Sequence, residues 1–182
     1  MSRLGQAIAE GDGISVLVEV RDSSAAGTAE GQGADGLVVR GAAAAVRAAS
    51  QLPVLFLGAA SEAQAAAADA VVVPAEIAAW DAATELGLEC VVRVDDADDL
   101  ERALEELDPE IFLLSVDPDS GDDALERLLE LLHDVPAGKL AIAELRDATA
   151  ADVAELERAG VDAVLVLPHD VAALVPAEPP EV

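Results

Sequence analysis

The chain has 182 residues, 53% of them hydrophobic, and a net charge of −27 from 37 acidic and 10 basic side chains. That length holds one domain or two small ones with a real core, and the hydrophobic content excludes a disordered chain in spite of the charge. A field so negative repels nucleic acid and anionic membranes, so neither is an expected partner.

The opening stretch, MSRLGQAIAEGDG, has no apolar run of signal-peptide length, and no later run nears the roughly 20 residues of a membrane helix. A cytoplasmic location is therefore expected. The single cysteine, Cys90, cannot close an internal disulfide and belongs to no metal motif, so no cofactor is expected. Acids crowd DDADDLERALEELDPE and DDALERLLE, which read as solvated helix faces. They fit a compositional bias or adaptation to salt.

Eight apolar runs follow one another: ISVLVEV (14–20), DGLVV (35–39), PVLFL (53–57), DAVVV (69–73), LECVVRV (88–94), EIFLLSV (110–116), KLAIAE (139–144) and DAVLVL (162–167). Unbroken Val/Leu runs are what parallel strands buried on both faces look like. Between them lie helical stretches: AAAAVRAAS, SEAQAAAA, EIAAWDAATELG, DADDLERALEEL, SGDDALERLLELLHD and TAADVAELERAG. Several open on Ser, Thr or Asp with a following acid, and Gly87 and Gly160 close two of them. The first crossover, SSAAGTAEGQGA, is a poor, Gly-rich one, and the last helix is only VAALV. Eight strict alternations predict a compact (β/α)8 barrel over residues 1–175, with a Pro-rich tail at 176–182. About 23 residues per unit is lean against the usual barrel of about 250 residues. An open doubly wound sheet is the alternative, and no glycine fingerprint supports it.

One phrase recurs, as GADGLVVRG from Gly33, AADAVVVPA from Ala67 and GVDAVLVLP from Gly160. A helix ends at a small residue, the chain turns through Asp, and strand two, four or eight begins. In such a barrel function lies at the opposite, C-terminal ends of the strands. Those ends carry Glu19, Arg21 and Ser24; Arg40; Leu57 and Gly58; Pro74; Arg93 and Asp95; Ser115 and Asp117; Glu144 and Arg146; and Pro168, His169 and Asp170. Alternation turns Val16, Val18 and Val20, and Cys90, Val92 and Val94, toward the helices. Leu17, Glu19, Arg21 and Arg93 then face inward, while Phe56 and Phe112 pack under helices. Glu19, Glu144, Arg21 and Arg93 can thus meet at the barrel mouth. They read either as a carboxylate base beside an anion-binding guanidinium or as mutually satisfied ions closing the core. Lys139, the single lysine, falls at the far end of strand seven; His133 reads as surface and His169 as a helix-start residue.

The strand ends bring a family into view. VLVEVRDSSAAG, LPVLFLGAASEAQAAAADAVVV, LGLECVVRVDDADDLERAL and LAIAELRDATAADVAELERAGVDAVLV resemble, in order along the chain, segments of indole-glycerol-phosphate synthase. That family is a (β/α)8 lyase of tryptophan biosynthesis, closing an indole ring on a phosphorylated sugar chain. The resemblance implies that Glu19 and Glu144 keep the family's strand-one and strand-seven carboxylates and that Ser24 keeps its first-loop serine. Its strand-one lysine becomes Arg21. Its strand-three lysine, a general acid, falls at Leu57; its strand-five glutamate, with an acid-base part, falls at Arg93; its strand-six asparagine falls at Ser115. The small phosphate-binding loops become Leu145-Arg146 and Leu167-Pro168-His169, and a proline has no N–H to give.

Two functions follow from the resemblance. One is a divergent barrel that has lost the lyase activity. The other is an active carbon–carbon lyase on a phosphorylated substrate, with Glu19, Glu144 and Arg21 catalytic and Ser24, Arg93, Ser115 and Arg146 binding. Either way the expected ligand is a small anionic or phosphorylated molecule, held by side chains such as Arg146 or Arg40. The chain is expected to be a monomer or homodimer.

Overall fold

The computed structural model describes residues 3–11, 13–41, 43–116, 124–168 and 171–174. Eight parallel strands hydrogen-bond in sequence order: β1 (Ser15–Glu19), β2 (Gly36–Val39), β3 (Val54–Leu57), β4 (Ala70–Pro74), β5 (Glu89–Val94), β6 (Ile111–Leu114), β7 (Leu140–Glu144) and β8 (Ala163–Val166). β8 pairs with β1, Leu165 opposite Leu17, so the sheet closes on itself and the open-sheet alternative falls. The protein is a (β/α)8 barrel. The expected Pro-rich tail at 176–182 lies outside the described residues, as do Asp117, His169 and Asp170.

Eight helices accompany the described strands: α1 (Arg3–Ala9), α2 (Ser23–Gly31), α3 (Ala43–Ala49), α4 (Ala60–Ala65), α5 (Ile77–Glu85), α6 (Ala97–Glu106), α7 (Ala124–His133) and α8 (Ala150–Ala159). Two differ from expectation. The Gly-rich first crossover is a regular nine-residue helix, because Asp22 caps it, accepting from the Ala25 N–H at 2.9 Å, and Ala26 and Ala29 give it a buried face. A cap of this kind is worth about 1 kcal/mol, enough to offset one interior glycine. The other is α1, which the opening sequence does not announce. The short VAALV helix is a single 3-10 turn, Val171–Ala173. Among the described residues no helix is long and apolar enough to cross a membrane.

Two separate cores follow from strand alternation. Val16, Val18, Val20, Phe56, Cys90, Val92, Val94 and Phe112 pack outward against the helices. Leu17, Val38, Leu55, Ala70, Val91, Ile111, Leu113, Ile142, Ala163 and Leu165 fill the barrel, and α1 adds Leu4 and Ile8 to that same cluster. Since Leu4 and Ile8 lie one turn apart on one helix face, α1 acts as a floor to the barrel. Gly36 leaves the room that Leu17 takes: a Cβ there would sit 2.7 Å from Leu17 Cδ2.

The recurring phrase has a structural explanation. In each copy the aspartate just before an even strand grips the preceding odd strand twice. The N–H of Val16, Val54 or Ala141 donates to the carboxylate of Asp35, Asp69 or Asp162, each at 2.8 Å. The N–H of the same aspartate donates back to that residue's carbonyl at 2.9–3.0 Å. Burial pushes the carboxyls of Asp35 and Asp162 up, and these N–H donors pull them part of the way back. Two residues before each acid the backbone is left-handed: Gly33 at φ 92°, Ala67 at φ 53° and Gly160 at φ 95°. β6 carries a fourth, altered copy, with Asp108 at φ 49° two residues before Glu110. Glu110, one methylene longer, points out to solvent and pairs instead with Lys139 at 3.3 Å.

Only glycine adopts that left-handed turn without steric cost, so Ala67 is the strained copy. Relief is worth about 1–2 kcal/mol, set against about 0.4–1 kcal/mol of added unfolded-chain entropy. Ala67→Gly is therefore expected to stabilise the barrel by roughly 0.5 kcal/mol, read as a small rise in the urea midpoint at unchanged slope; a fall in midpoint would contradict the assignment.

Candidate active site at the barrel rim

The C-terminal ends of the strands carry the polar interior of this protein. Glu19, last residue of β1, and Ser115, one residue past β6, are 7% and 2% exposed, and both lie on inward-facing positions. The Ser115 N–H donates to the Val94 carbonyl at 2.9 Å, extending the β5–β6 ladder just far enough to fix the hydroxyl. Across the rim, the Leu167 N–H donates to the Arg146 carbonyl at 2.9 Å, which anchors the β7–α8 turn against the end of β8.

These groups form one connected network. Glu19 accepts from Arg40 Nε and from Arg146 Nη2, each at 3.0 Å. Arg146 Nη1 lies 3.8 Å from Glu144 Oε1, so one guanidinium bridges the two glutamates. Arg93 Nη1 is 3.6 Å from Glu144 Oε2. Ser115 fills the gap between that pair: its hydroxyl accepts from Arg93 Nη2 at 2.8 Å and donates to Glu144 Oε2 at 2.9 Å. The chain ends at Asp95, whose Oδ1 accepts from Arg93 Nε at 2.8 Å. Both glutamate side chains are only 8% exposed, against 50%, 36% and 35% for Arg40, Arg93 and Arg146. Buried carboxylates require such partners, because an unpaired charge out of water is costly.

Of the four ions expected to meet, Glu19, Arg93 and Glu144 do so. Arg21 does not. It is exposed and pairs with neither glutamate, because β1 ends at Glu19 and strand alternation ceases to govern the chain at Asp22, the cap of α2. Arg40 takes its place beside Glu19, a pairing that depends on the β1–β2 register rather than on any pattern within one strand. Ser24 lies apart from the network in the first turn of α2, in a cleft of about 680 Å³ shared with Pro168 and Val171. Lys139 sits at the other end of β7, bonded to Asp108 at 2.9 Å. That bond and its neighbouring acids hold its ammonium pKa above the ordinary value. His133 is exposed at the last turn of α7, where a cation suits the helix dipole.

The other arc of the rim is apolar. In register with Arg40 and Arg93 at its two ends stand Leu57 on β3, half-buried, then Val72 and Pro74 on β4. Leu57 and Val72 pack onto the core inside the barrel. None of these three side chains can give or take a proton.

Comparison with known proteins sets this rim in context. An indole-3-glycerol phosphate synthase of Variovorax paradoxus is 40% identical over 81 residues, which is 44% of this chain and 30% of that protein. The chain is a TIM barrel similar to indole-3-glycerol phosphate synthase. The match spans less than a third of that relative's length. Two solved barrels share the fold. A thiamine phosphate pyrophosphorylase from Pyrococcus furiosus superposes with a TM-score of 0.66 at 19% identity, over 88% of each chain. An N-acetylmannosamine-6-phosphate 2-epimerase from Clostridium perfringens gives 0.68 at 15%, over 87% of this chain and 88% of that one. No protein-family model matches the chain.

Proposed function

We propose that this protein is an indole-3-glycerol-phosphate-synthase-like barrel that no longer closes the indole ring. The observation that carries the reading is the pair of substitutions at Leu57 and Arg93. In the family the third strand ends in a lysine that serves as general acid and the fifth carries a glutamate with an acid-base part. Here the first position is an alkyl group packed on the barrel interior. The second is a guanidinium bound on three sides, by Asp95, Ser115 and Glu144. An arginine does not give up its proton in a protein, so it cannot replace a carboxyl group that shuttles one.

The surviving glutamates support the same reading. Glu19 and Glu144 keep their places, but both are engaged by arginines and Glu144 also accepts from Ser115. Used this way, they hold the mouth of the barrel together. A positioned proton donor contributes about 10²–10⁴ in rate, and two such groups are replaced.

The test is direct. Purified protein is mixed with the anthranilate-bearing deoxyribulose phosphate substrate of the family, and indole fluorescence is followed. The expected result is no signal above the rate without protein. Turnover that Glu144→Gln abolishes would overturn the proposal and restore the alternative, an active carbon–carbon lyase.

A further inference from the structure

We infer that the α6–α7 quarter of the barrel wall is an ionic-strength-sensitive element, which like-charge repulsion loosens at low salt and screening closes. The inference starts from an uneven distribution of charge. Residues 95–134 carry sixteen acids against two arginines, whereas residues 23–68, which hold α2, α3 and α4, carry three acids and two arginines. About half of the net charge of −27 thus sits on α6, α7 and their flanking loops.

α6 is also loosely held. Among the described residues α2 packs on α3, α4 on α5 and α7 on α8, but α6 packs on β5 and on neither flanking helix to that extent. Its buried side chains are Leu100 and Ala103, with Leu107 just past its end. Between α6 and α7 lies a cleft of about 740 Å³. Its walls bear four carboxylates, Asp95, Asp96, Glu130 and Asp134, and two guanidiniums, Arg93 and Arg127. Arg93 is already held by Asp95, Ser115 and Glu144. Along α6 itself Asp98 and Glu101 stand three residues apart and Glu101 and Glu105 four, spacings at which like charges repel. Arg102 offsets Asp99, at 2.9 Å.

The same quarter lacks a tie that other parts of the wall have. α6 joins β5 to β6, and there the aspartate that elsewhere clasps an odd strand to the next is replaced by Glu110, which turns to Lys139. Repulsion among exposed charges acts over about 10 Å at 0.1 M salt and only about 3 Å at 1 M. Neighbouring helices stand about 8–10 Å apart when packed, so the acids of α6 and α7 repel one another across the cleft at low salt and are screened at high salt. The effect needs no bound ion.

Hydrogen exchange of the intact protein, read by mass spectrometry at about 0.05 M and about 1 M sodium chloride, tests this. Protection of α6 amides is expected to rise about tenfold with salt, and that of α2 and α3 by less than about twofold. Glu130→Gln should raise α6 protection at low salt and flatten the salt response, while Glu155→Gln, the same change on exposed α8, should leave both as they are. Tetramethylammonium chloride at equal ionic strength should act as sodium chloride does, because screening is indifferent to the cation. An equal rise in every helix would overturn the proposal, as would a response to sodium alone, which would mark a bound ion. Exchange is followed without substrate, so the outcome does not turn on ring closure.

Discussion

Leu4→Ala is expected to lower the unfolding free energy by about 3 kcal/mol, within the 2–5 kcal/mol typical of a fully buried leucine cut to alanine. Leu4 has no exposed surface and packs inside the barrel with Leu17, Leu55 and Ile142. The cavity left behind would lie beneath closed walls, which cannot collapse onto it as a flexible surface can. For a chain of this size each kcal/mol moves the melting temperature by about 2–4 °C, so calorimetry should show a fall of roughly 10 °C. Leu4→Met, which conserves volume, should cost less than about 1.5 kcal/mol. A melting temperature unchanged in Leu4→Ala would mean that α1 does not close the barrel in solution.

The second large effect is at the rim. Glu19→Ala is expected to cost about 1–3 kcal/mol. Removing one member of a buried ion pair typically costs about 3–5 kcal/mol, and half-exposed arginines recover part of that from water. Arg40 and Arg146 would then face each other across an empty position, so added salt should recover part of the loss by screening. Arg40→Ala should cost under about 1 kcal/mol, because Arg146 still satisfies Glu19. Thermal melts at low and high salt check all three statements. Equal stability of Glu19→Ala and the parent protein would remove the structural role assigned to the network.

Much of this was legible in the residues because a strand has only two faces. Alternation placed Glu19 and Arg93 inside and Phe56 and Phe112 outside, and eight apolar runs with eight crossovers left a closed barrel as the simplest arrangement. What escaped were features set by relations between strands or by a single cap. Arg40 reaches Glu19 through the β1–β2 register, which no periodicity within either strand encodes. Arg21 was expected inward because the alternation was carried past the point where β1 stops. Asp22 turned a glycine-rich stretch into α2, a local bond outweighing composition. In α1 the signal was there, Leu4 and Ile8 one helical turn apart, but seven residues carry too little pattern to separate a helix from a loop.

The aspartate clasps described for the wall have one further consequence. They rivet the staves in couples, first to second, third to fourth, seventh to eighth, while the fifth and sixth are tied at the rim by Arg93 and the Ser115 hydroxyl instead. Such a cask has an uneven hoop. When the wall loosens under heat or denaturant, the three clasped couples are expected to outlast the seams between them.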